Sequence, residues 1–302
     1  MNQKSYSVAI IGLGAMGMGA AKSCIRSGLN TYGVDLNLHA LESLKALGAT
    51  QVDTKAVSFA KDLDAVLLLV VNANQVNQVL FGEQGLAAHL KPKTAIMVSS
   101  TISAQDAKEL SQKLTSKGLL MLDAPVSGGA AKAANGEMTV MASGSEEAFE
   151  KLKPVLDAVA GKVYNIGAEI GLGSTVKIVH QLLAGVHIAA GAEAMALASR
   201  AGIPLDLMYD VVTNAAGNSW MFENRMKHVV DGDYTPLSMV DIFVKDLGLV
   251  ADTAKSLKFP LPLASTAFNM FTEASNAGYG KEDDSAVIKI FNGIDLPKKQ
   301  EK

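Results

Sequence analysis

The apolar run Val8-Ala9-Ile10-Ile11 passes into Gly12-Leu13-Gly14-Ala15-Met16-Gly17 and then into a stretch of helical composition. A strand, a G-x-G-x-x-G turn and a helix, in that order, make the turn that holds a dinucleotide pyrophosphate. Gly12 allows the tight turn, Gly14 lets the backbone approach the phosphates, and Gly17 lets the helix pack close to the strand. The helix N-terminus offers amide donors and the positive end of its dipole. Leu13, Ala15 and Met16 complete the loop. Such a turn commits the first part of the chain to a βαβ architecture and to a nicotinamide or flavin cofactor.

Asp35 ends the next apolar run, 23 positions after Gly12. A carboxylate there can accept both adenosine ribose hydroxyls and repels a 2′-phosphate. Leu36 and Asn37 follow, so no cation stands there to receive that phosphate. The expectation is NAD over NADP; the competing reading is an Asp that caps the helix starting at 37.

The first half alternates short β-branched runs with helical patterns. Strands are expected at 7–12, 30–35, 65–71, 94–99, 119–123 and 138–142, and helices at 15–27, 38–47, 75–80 and 104–116. This alternation predicts a mostly parallel, doubly wound α/β sheet with ligands at the C-terminal ends of the strands. The pattern stops near Asn165. A long helix is expected over 173–201, closed by Gly202-Ile203-Pro204. Further helices fit 205–213, 220–230, 240–257, 265–277 and 284–291, and 298–302 is expected to fray. The predicted organisation is a Rossmann-type NAD-binding domain over 1–165 and an all-helical substrate and oligomerisation domain over 166–302, joined by the long helix.

Composition narrows the class. The 302 residues are 49% hydrophobic with net charge −3, which excludes general disorder and removes the electrostatic case for nucleic acid. The single cysteine, Cys24, cannot form an internal disulfide, consistent with a reducing compartment; it reads as a small buried residue of the first helix. Residues 1–7 carry no signal-peptide core, and no uninterrupted apolar run reaches 18 residues. A soluble cytoplasmic protein with no membrane partner is expected.

Three further constellations stand beyond the glycine loop. In Asp123-Ala124-Pro125-Val126-Ser127-Gly128-Gly129, the Ser127 hydroxyl and unobstructed amides at the two glycines suit a carboxylate, which needs convergent donors. A plain strand-to-helix loop is the alternative. Gly171-Leu172-Gly173-Ser174-Thr175-Val176-Lys177 opens the long helix, and Lys177, His180 and Gln181 share one of its faces. Polar groups on so apolar a helix must meet partners, solvent or ligand. A lysine desolvated beside a cationic nicotinamide could serve as a base near neutral pH. Lys245-Asp246 in a later helix, and Ser100-Thr101 after a strand, are individually uninformative. His180 and His187 have no carboxylate at ligand spacing, so no metal site is expected.

Taken together and in this order, these segments resemble the β-hydroxyacid dehydrogenase family, which includes 3-hydroxyisobutyrate dehydrogenase, tartronate semialdehyde reductase and 6-phosphogluconate dehydrogenase. The resemblance spans nearly the whole chain. It implies that the Gly12–Gly17 loop binds the pyrophosphate and that Ser127, Gly128 and Gly129 clamp the substrate carboxylate. It makes Lys177 the catalytic acid/base. Val71 is implied beneath the adenosine ribose, and Thr101 and Lys245 at the nicotinamide end. The commoner family pattern has two asparagines three and four residues after the lysine; here they are His180 and Gln181. That departure, with the run from Ala215 to Arg225, is similar to the branch acting on L-threonate. It implies a polyhydroxylated four-carbon acid, with Gln181 orienting the hydroxyl and His180 assisting. The alternatives are tartronate semialdehyde or a 3-hydroxyisobutyrate-type substrate, or a catalytically inactive cofactor-binding scaffold. The resemblance also implies a homo-oligomer, dimer or tetramer.

Overall fold

The structure, a computed structural model, describes residues 6–299. The absence of a leader was read on residues most of which lie outside that range. The chain divides into two compact units, Met1–Lys177 and Ile178–Lys302.

The first unit is built from β1 (Ser7–Ile11), α1 (Ala15–Arg26), β2 (Asn30–Val34), α2 (Leu38–Ala46), β3 (Gln51–Asp53), β4 (Ala65–Leu68), α3 (Ala73–Phe81) and β5 (Ala95–Val98). It continues with α4 (Ala104–Thr115), β6 (Leu120–Asp123), β7 (Val126–Ser127), α5 (Gly129–Asn135), β8 (Met138–Gly144), α6 (Glu146–Val159) and β9 (Ala160–Gly167). The strands form one sheet in the order β3-β2-β1-β4-β5-β6-β8-β7, with β9 against β8. Pairs from β3 through β6 are parallel. β8 runs antiparallel to β6 and β7. The chain reverses direction across the sheet between β1 and β4, which places the crevice for a ligand beyond their C-terminal ends.

Both faces of the sheet are covered, which is why its strands read as near-continuous apolar runs. Val8, Ile10, Leu67 and Met97 point to one side, against Ala20 and Ala21 of α1 and Leu152 and Val155 of α6. Ala9, Ile11, Leu68 and Val98 point to the other, against Val76 and Leu80 of α3 and Leu110 and Leu114 of α4. The period of two along each strand therefore divides one sequence between two cores. Cys24 is fully buried in α1, and burial pushes its thiol up to about 12, which leaves it inert near neutral pH.

Strand ends fall short of the expected ones by one to three residues at β1, β2 and β4. Five of these elements had no counterpart in the sequence reading: the strands β3, β7 and β9 and the helices α5 and α6. β9 is mostly exposed and shows no alternation. α6 carried a legible start, since Ser145 accepts from Ala148 N and Glu146 and Glu147 fill the first turn.

The second unit is helical. The long helix α7 (Leu172–Arg200) crosses the unit boundary and is followed by α8 (Leu205–Thr213), α9 (Trp220–Asp231), α10 (Val240–Leu257) and α11 (Pro262–Ala274). A π turn (Ser275–Tyr279) and a 3-10 helix (Asp284–Ile290) take the place of the helical stretches expected to end at 277 and 291. Ile188, Ala192 and Met195 of α7 meet Phe222 and Met226 of α9, Phe243 and Leu247 of α10 and Phe271 of α11 in one core. Phe243 and Phe271 stack with centroids 5.1 Å apart. By length and composition α7 is apolar enough to cross a membrane, although half of its most apolar stretch is buried inside the protein. The expected fraying of 298–302 does not hold at Lys299, whose Nζ lies 2.9 Å from Asp233 Oδ2. Positions 300–302 lie outside the described residues.

Candidate active site

Each glycine of the first loop answers a different steric demand. Gly12 has φ +91°, and a Cβ there would lie 2.8 Å from the Leu69 carbonyl oxygen beyond β4. Gly17 faces the loop itself: a Cβ would come within 1.7 Å of the Gly12 carbonyl oxygen. The strand packing expected to require Gly17 is the lesser constraint. A Cβ at Gly14 would meet nothing within 4 Å, so this position opens outward. Gly14 is also the N-cap of α1, with no side-chain cap and no acidic residue in the first turn. The loop thus leaves its amides and the helix dipole facing open space, which fits a dinucleotide pyrophosphate.

Asp35 stands immediately beyond β2. Its Oδ2 accepts from Leu13 N at 2.5 Å and its Oδ1 from Asn37 N at 2.8 Å, so the carboxylate ties the glycine loop to the end of β2. It does not cap α2; Asn37 does, accepting from His39 N and Ala40 N. A carboxylate has about four acceptor sites, which leaves capacity on both oxygens. Beside it a cleft of about 180 Å³ is lined by Ile11, Val34, Thr54, Lys55, Gln78 and their neighbours. Its polar residues carried no motif in the sequence. Val71 is exposed, its N donating to Gln75 Oε1 at 2.7 Å. Thr101 follows β5 and is half-buried; it does not cap α4, which has a capping box of Ser103 and Asp106. The adjacent Ser100 hydroxyl is buried without a partner.

Asp123, at the end of β6, is fully buried. Its Oδ2 accepts from Gly171 N at 3.0 Å and Ser174 N at 2.9 Å, and its Oδ1 from Ser174 Oγ at 2.6 Å. Ser143 Oγ, 3.4 Å from Oδ2, accepts in turn from Gly173 N at 3.0 Å. A carboxylate on one strand therefore caps the first turn of α7, where its charge also complements the helix dipole. Burial pushes the Asp123 carboxyl upward, opposed by these hydrogen bonds. Gly173 has no room for a side chain: a Cβ would lie 2.5 Å from the Asp123 carbonyl oxygen and 2.6 Å from that of Met141. Ser127 lies in β7, paired with Thr139 of β8. Gly128 (φ +130°) and Gly129 (φ +72°) then turn the chain into α5, a backbone that favours glycine at both positions. The segment is a short strand followed directly by a helix start.

One turn into α7, Lys177 is buried, 6% exposed, and Gln181 follows on the same face, 8% exposed. Gln181 Nε2 donates to Asp246 Oδ2 at 2.6 Å, and Lys245 Nζ lies 2.6 Å from Asp246 Oδ1. Asp246 is itself buried. As an acceptor-only group it fixes the amide orientation of Gln181, so Gln181 Oε1 must face His180 Nδ1, 3.0 Å away. That nitrogen then carries a proton and donates to Gln181 Oε1. His180, Gln181 and Lys245 are thereby brought into one chain of contacts through Asp246, which the sequence offered only as the neighbour of Lys245.

Two family models match the chain. Residues 7–167 match the NAD binding domain of 6-phosphogluconate dehydrogenase, and 171–291 match the NAD-binding domain of NADP-dependent 3-hydroxyisobutyrate dehydrogenase. The chain belongs to this family. Among curated relatives of this dehydrogenase family, L-threonate dehydrogenase of Haemophilus influenzae is 78% identical over 99% of this chain and 99% of its own. L-threonate dehydrogenase of Escherichia coli K12 is 76% identical over 97% of each. Among solved structures, one described as 3-hydroxyisobutyrate dehydrogenase from Salmonella typhimurium has TM-score 0.93 and 72% identity, covering 95% of this chain and all of that one. The family is one of NAD-binding oxidoreductases, and NAD is the cofactor of this chain.

The Asp123 cap gives an ordered expectation. Asp123→Ala orphans the amides of Gly171 and Ser174, a loss of about 1–3 kcal/mol for each buried donor. Asp123→Asn keeps an oxygen for those amides while its NH₂ can turn to the Ser174 hydroxyl. Urea denaturation should rank wild type above Asp123→Asn and Asp123→Asn above Asp123→Ala; equal midpoints for all three would remove the cap as a stabilising contact.

Proposed function

We propose that the chain oxidises L-threonate at C2 to 2-oxo-tetronate with NAD. The observation that carries this reading is the near-full-length identity of 76–78% to relatives named L-threonate dehydrogenase. NAD, when bound, accepts the hydride leaving C2. Residues 1–165 form the NAD-binding domain and 166–302 the substrate and oligomerisation domain. Gly12, Leu13, Gly14, Ala15, Met16 and Gly17 cradle the pyrophosphate, and Asp35 receives the adenosine ribose hydroxyls. Val71 borders that ribose, and the cleft beside Asp35 takes the adenine. Thr101 and Lys245 serve the nicotinamide end.

Ser127, Gly128 and Gly129 hold the substrate carboxylate with a hydroxyl and backbone amides. Neutral Lys177 takes the C2 hydroxyl proton as the hydride departs. In the reverse direction the ammonium returns that proton to the developing alkoxide. Gln181 has one amide hydrogen committed to Asp246 and a second to offer the substrate hydroxyl. His180 assists at a further hydroxyl, which a sugar acid has and a branched aliphatic acid lacks. Oxidation at C2 yields an α-keto acid, so all four carbons are kept.

The preference for NAD rests on Asp35, although the second matching family model is described from an NADP-dependent enzyme. The protein acts in the cytoplasm on a small molecule, without nucleic-acid or membrane partners, as a dimer or tetramer. A 3-hydroxyisobutyrate-type substrate is the second reading, favoured by the description of the Salmonella structure.

A panel of L-threonate, D-threonate, tartronate semialdehyde and 3-hydroxyisobutyrate, followed by NADH absorbance, separates the two. L-threonate should give the highest kcat/KM, and a preference for 3-hydroxyisobutyrate reverses the assignment. Lys177→Ala should lower turnover by about 10²–10⁴-fold while NAD still binds, as removal of a general base does. Near-normal turnover would take Lys177 out of the chemistry. Asp35→Ala should bring the kcat/KM values for NAD and NADP closer together; an unchanged ratio would mean the ribose is read elsewhere.

A further inference from the structure

Lys132 lies against the turn that follows Ser127. Gly128 is the N-cap of α5, with φ +130°. A Cβ at Gly128 would come within 2.9 Å of both Cβ and Cδ of Lys132, and within 3.4 Å of its Cγ. The Lys132 stem is therefore laid along Gly128. Helical geometry accounts for the direction, since a side chain leans toward the helix N-terminus and covers the turn before its own Cα. Lys132 stands four positions after Gly128, which carries the stem back over the N-cap. The ammonium nitrogen is two bonds, about 2.5 Å, past Cδ. Lys132 is exposed, so its last two torsions can sweep the ammonium across the turn while the stem stays in place. A Cβ at the neighbouring Gly129 would meet nothing within 4 Å, which leaves that side of the turn open to a ligand.

The far end of α5 makes no demand on this cation. Arg26 Nη1 donates to Ala134 O at 2.8 Å and Ser23 Oγ to Ala133 O at 2.9 Å, which serves carbonyls that a helix C-terminus leaves orphaned. Among the described residues Lys132 takes part in no ion pair. The clamp stated under the proposed function, Ser127 with the amides of Gly128 and Gly129, consists of neutral donors. The substrate carboxylate brings a full negative charge, and Lys177, neutral as the base, sets none against it. A hydrogen bond to a carboxylate from an ionised donor is roughly twice as strong as one from a neutral donor. We infer that the Lys132 ammonium pairs with the substrate carboxylate as the cationic arm of that clamp, and so sets the preference for an acid over its uncharged analogues. The inference rests on the clamp reading and adds the group that recognises charge. Gly128 then serves twice, by its backbone conformation and by leaving the surface along which the Lys132 stem is laid.

The test uses the full-length enzyme with NAD, the acid that ranks first in the substrate panel, and the carboxamide of that acid, L-threonamide for L-threonate. Two quantities are compared: KM for the acid and the inhibition constant of the carboxamide against it. Lys132→Met keeps an unbranched stem on Gly128 and removes the ammonium. It should raise KM for the acid by about 10-fold or more relative to the inhibition constant of the amide. Lys132→Arg should recover most of that loss, because a guanidinium also pairs with a carboxylate. KM for the acid should climb with added salt more steeply in wild type than in Lys132→Met, as screening of a solvated charge pair requires. A stem that merely supports Gly128 weakens acid and amide alike and gives no such difference in salt dependence. Equal changes for acid and amide, or an unchanged KM in Lys132→Met, overturn the role of Lys132. Ser127→Ala separates this inference from the reading beneath it. A raised KM in Ser127→Ala with an unchanged KM in Lys132→Met refutes the cationic arm and leaves the clamp standing. An unchanged KM in both variants overturns the two together.

Discussion

The cap that Asp123 places on α7 is the contact on which the position of Lys177 depends. A fully buried carboxylate at the end of β6 takes two backbone amides and the Ser174 hydroxyl at the start of α7. Gly173 allows that start to lie within contact of two strand carbonyls. Helix direction and rotation are then set by the sheet, and Lys177 follows one turn later at a defined azimuth. Burying a carboxylate is costly unless its oxygens are matched with donors. Here the donors are those a helix N-terminus leaves orphaned, so two separate deficits cancel.

The glycine loop works by a related economy. Gly12, Gly14 and Gly17 form one motif, yet they answer to the Leu69 carbonyl, to open space and to the Gly12 carbonyl respectively. Asp35 holds the loop through Leu13 N. The same carboxylate is thus a structural brace and the proposed reader of the cofactor.

Much of this was legible in the sequence because parallel strands buried on both faces read as uninterrupted apolar runs. β1, β4, β5 and β6 each announce themselves in that way, and α8 and α10 begin and end where helical periodicity says. β7 is too short to carry a pattern, and β9 is an exposed edge without alternation. Of the site, the loop glycines, Asp35, the Ser127-Gly128-Gly129 turn and Lys177 could be singled out, since each belongs to a local spacing. The role of Asp123 could not, because its partners are 48 and 51 positions away. The link from Gln181 to Asp246 spans 65 positions and joins two segments that the sequence does not connect. Long-range hydrogen bonding leaves no periodic trace in one chain.

The two faces of α7 have a consequence for how this sequence can vary over generations. Lys177 and Gln181 sit on one side and Val176, Val179 and Leu183 on the other, separated only by helical phase. A point substitution alters one face and spares its opposite. Loss or gain of a single codon within the helix turns everything downstream by 100°. Exposed leucines would then swing toward the core and core methionine toward water, all at once. Length variation among descendants of this chain is thereby driven out of α7 and into the loops that follow it, and the helix evolves by replacement at fixed length.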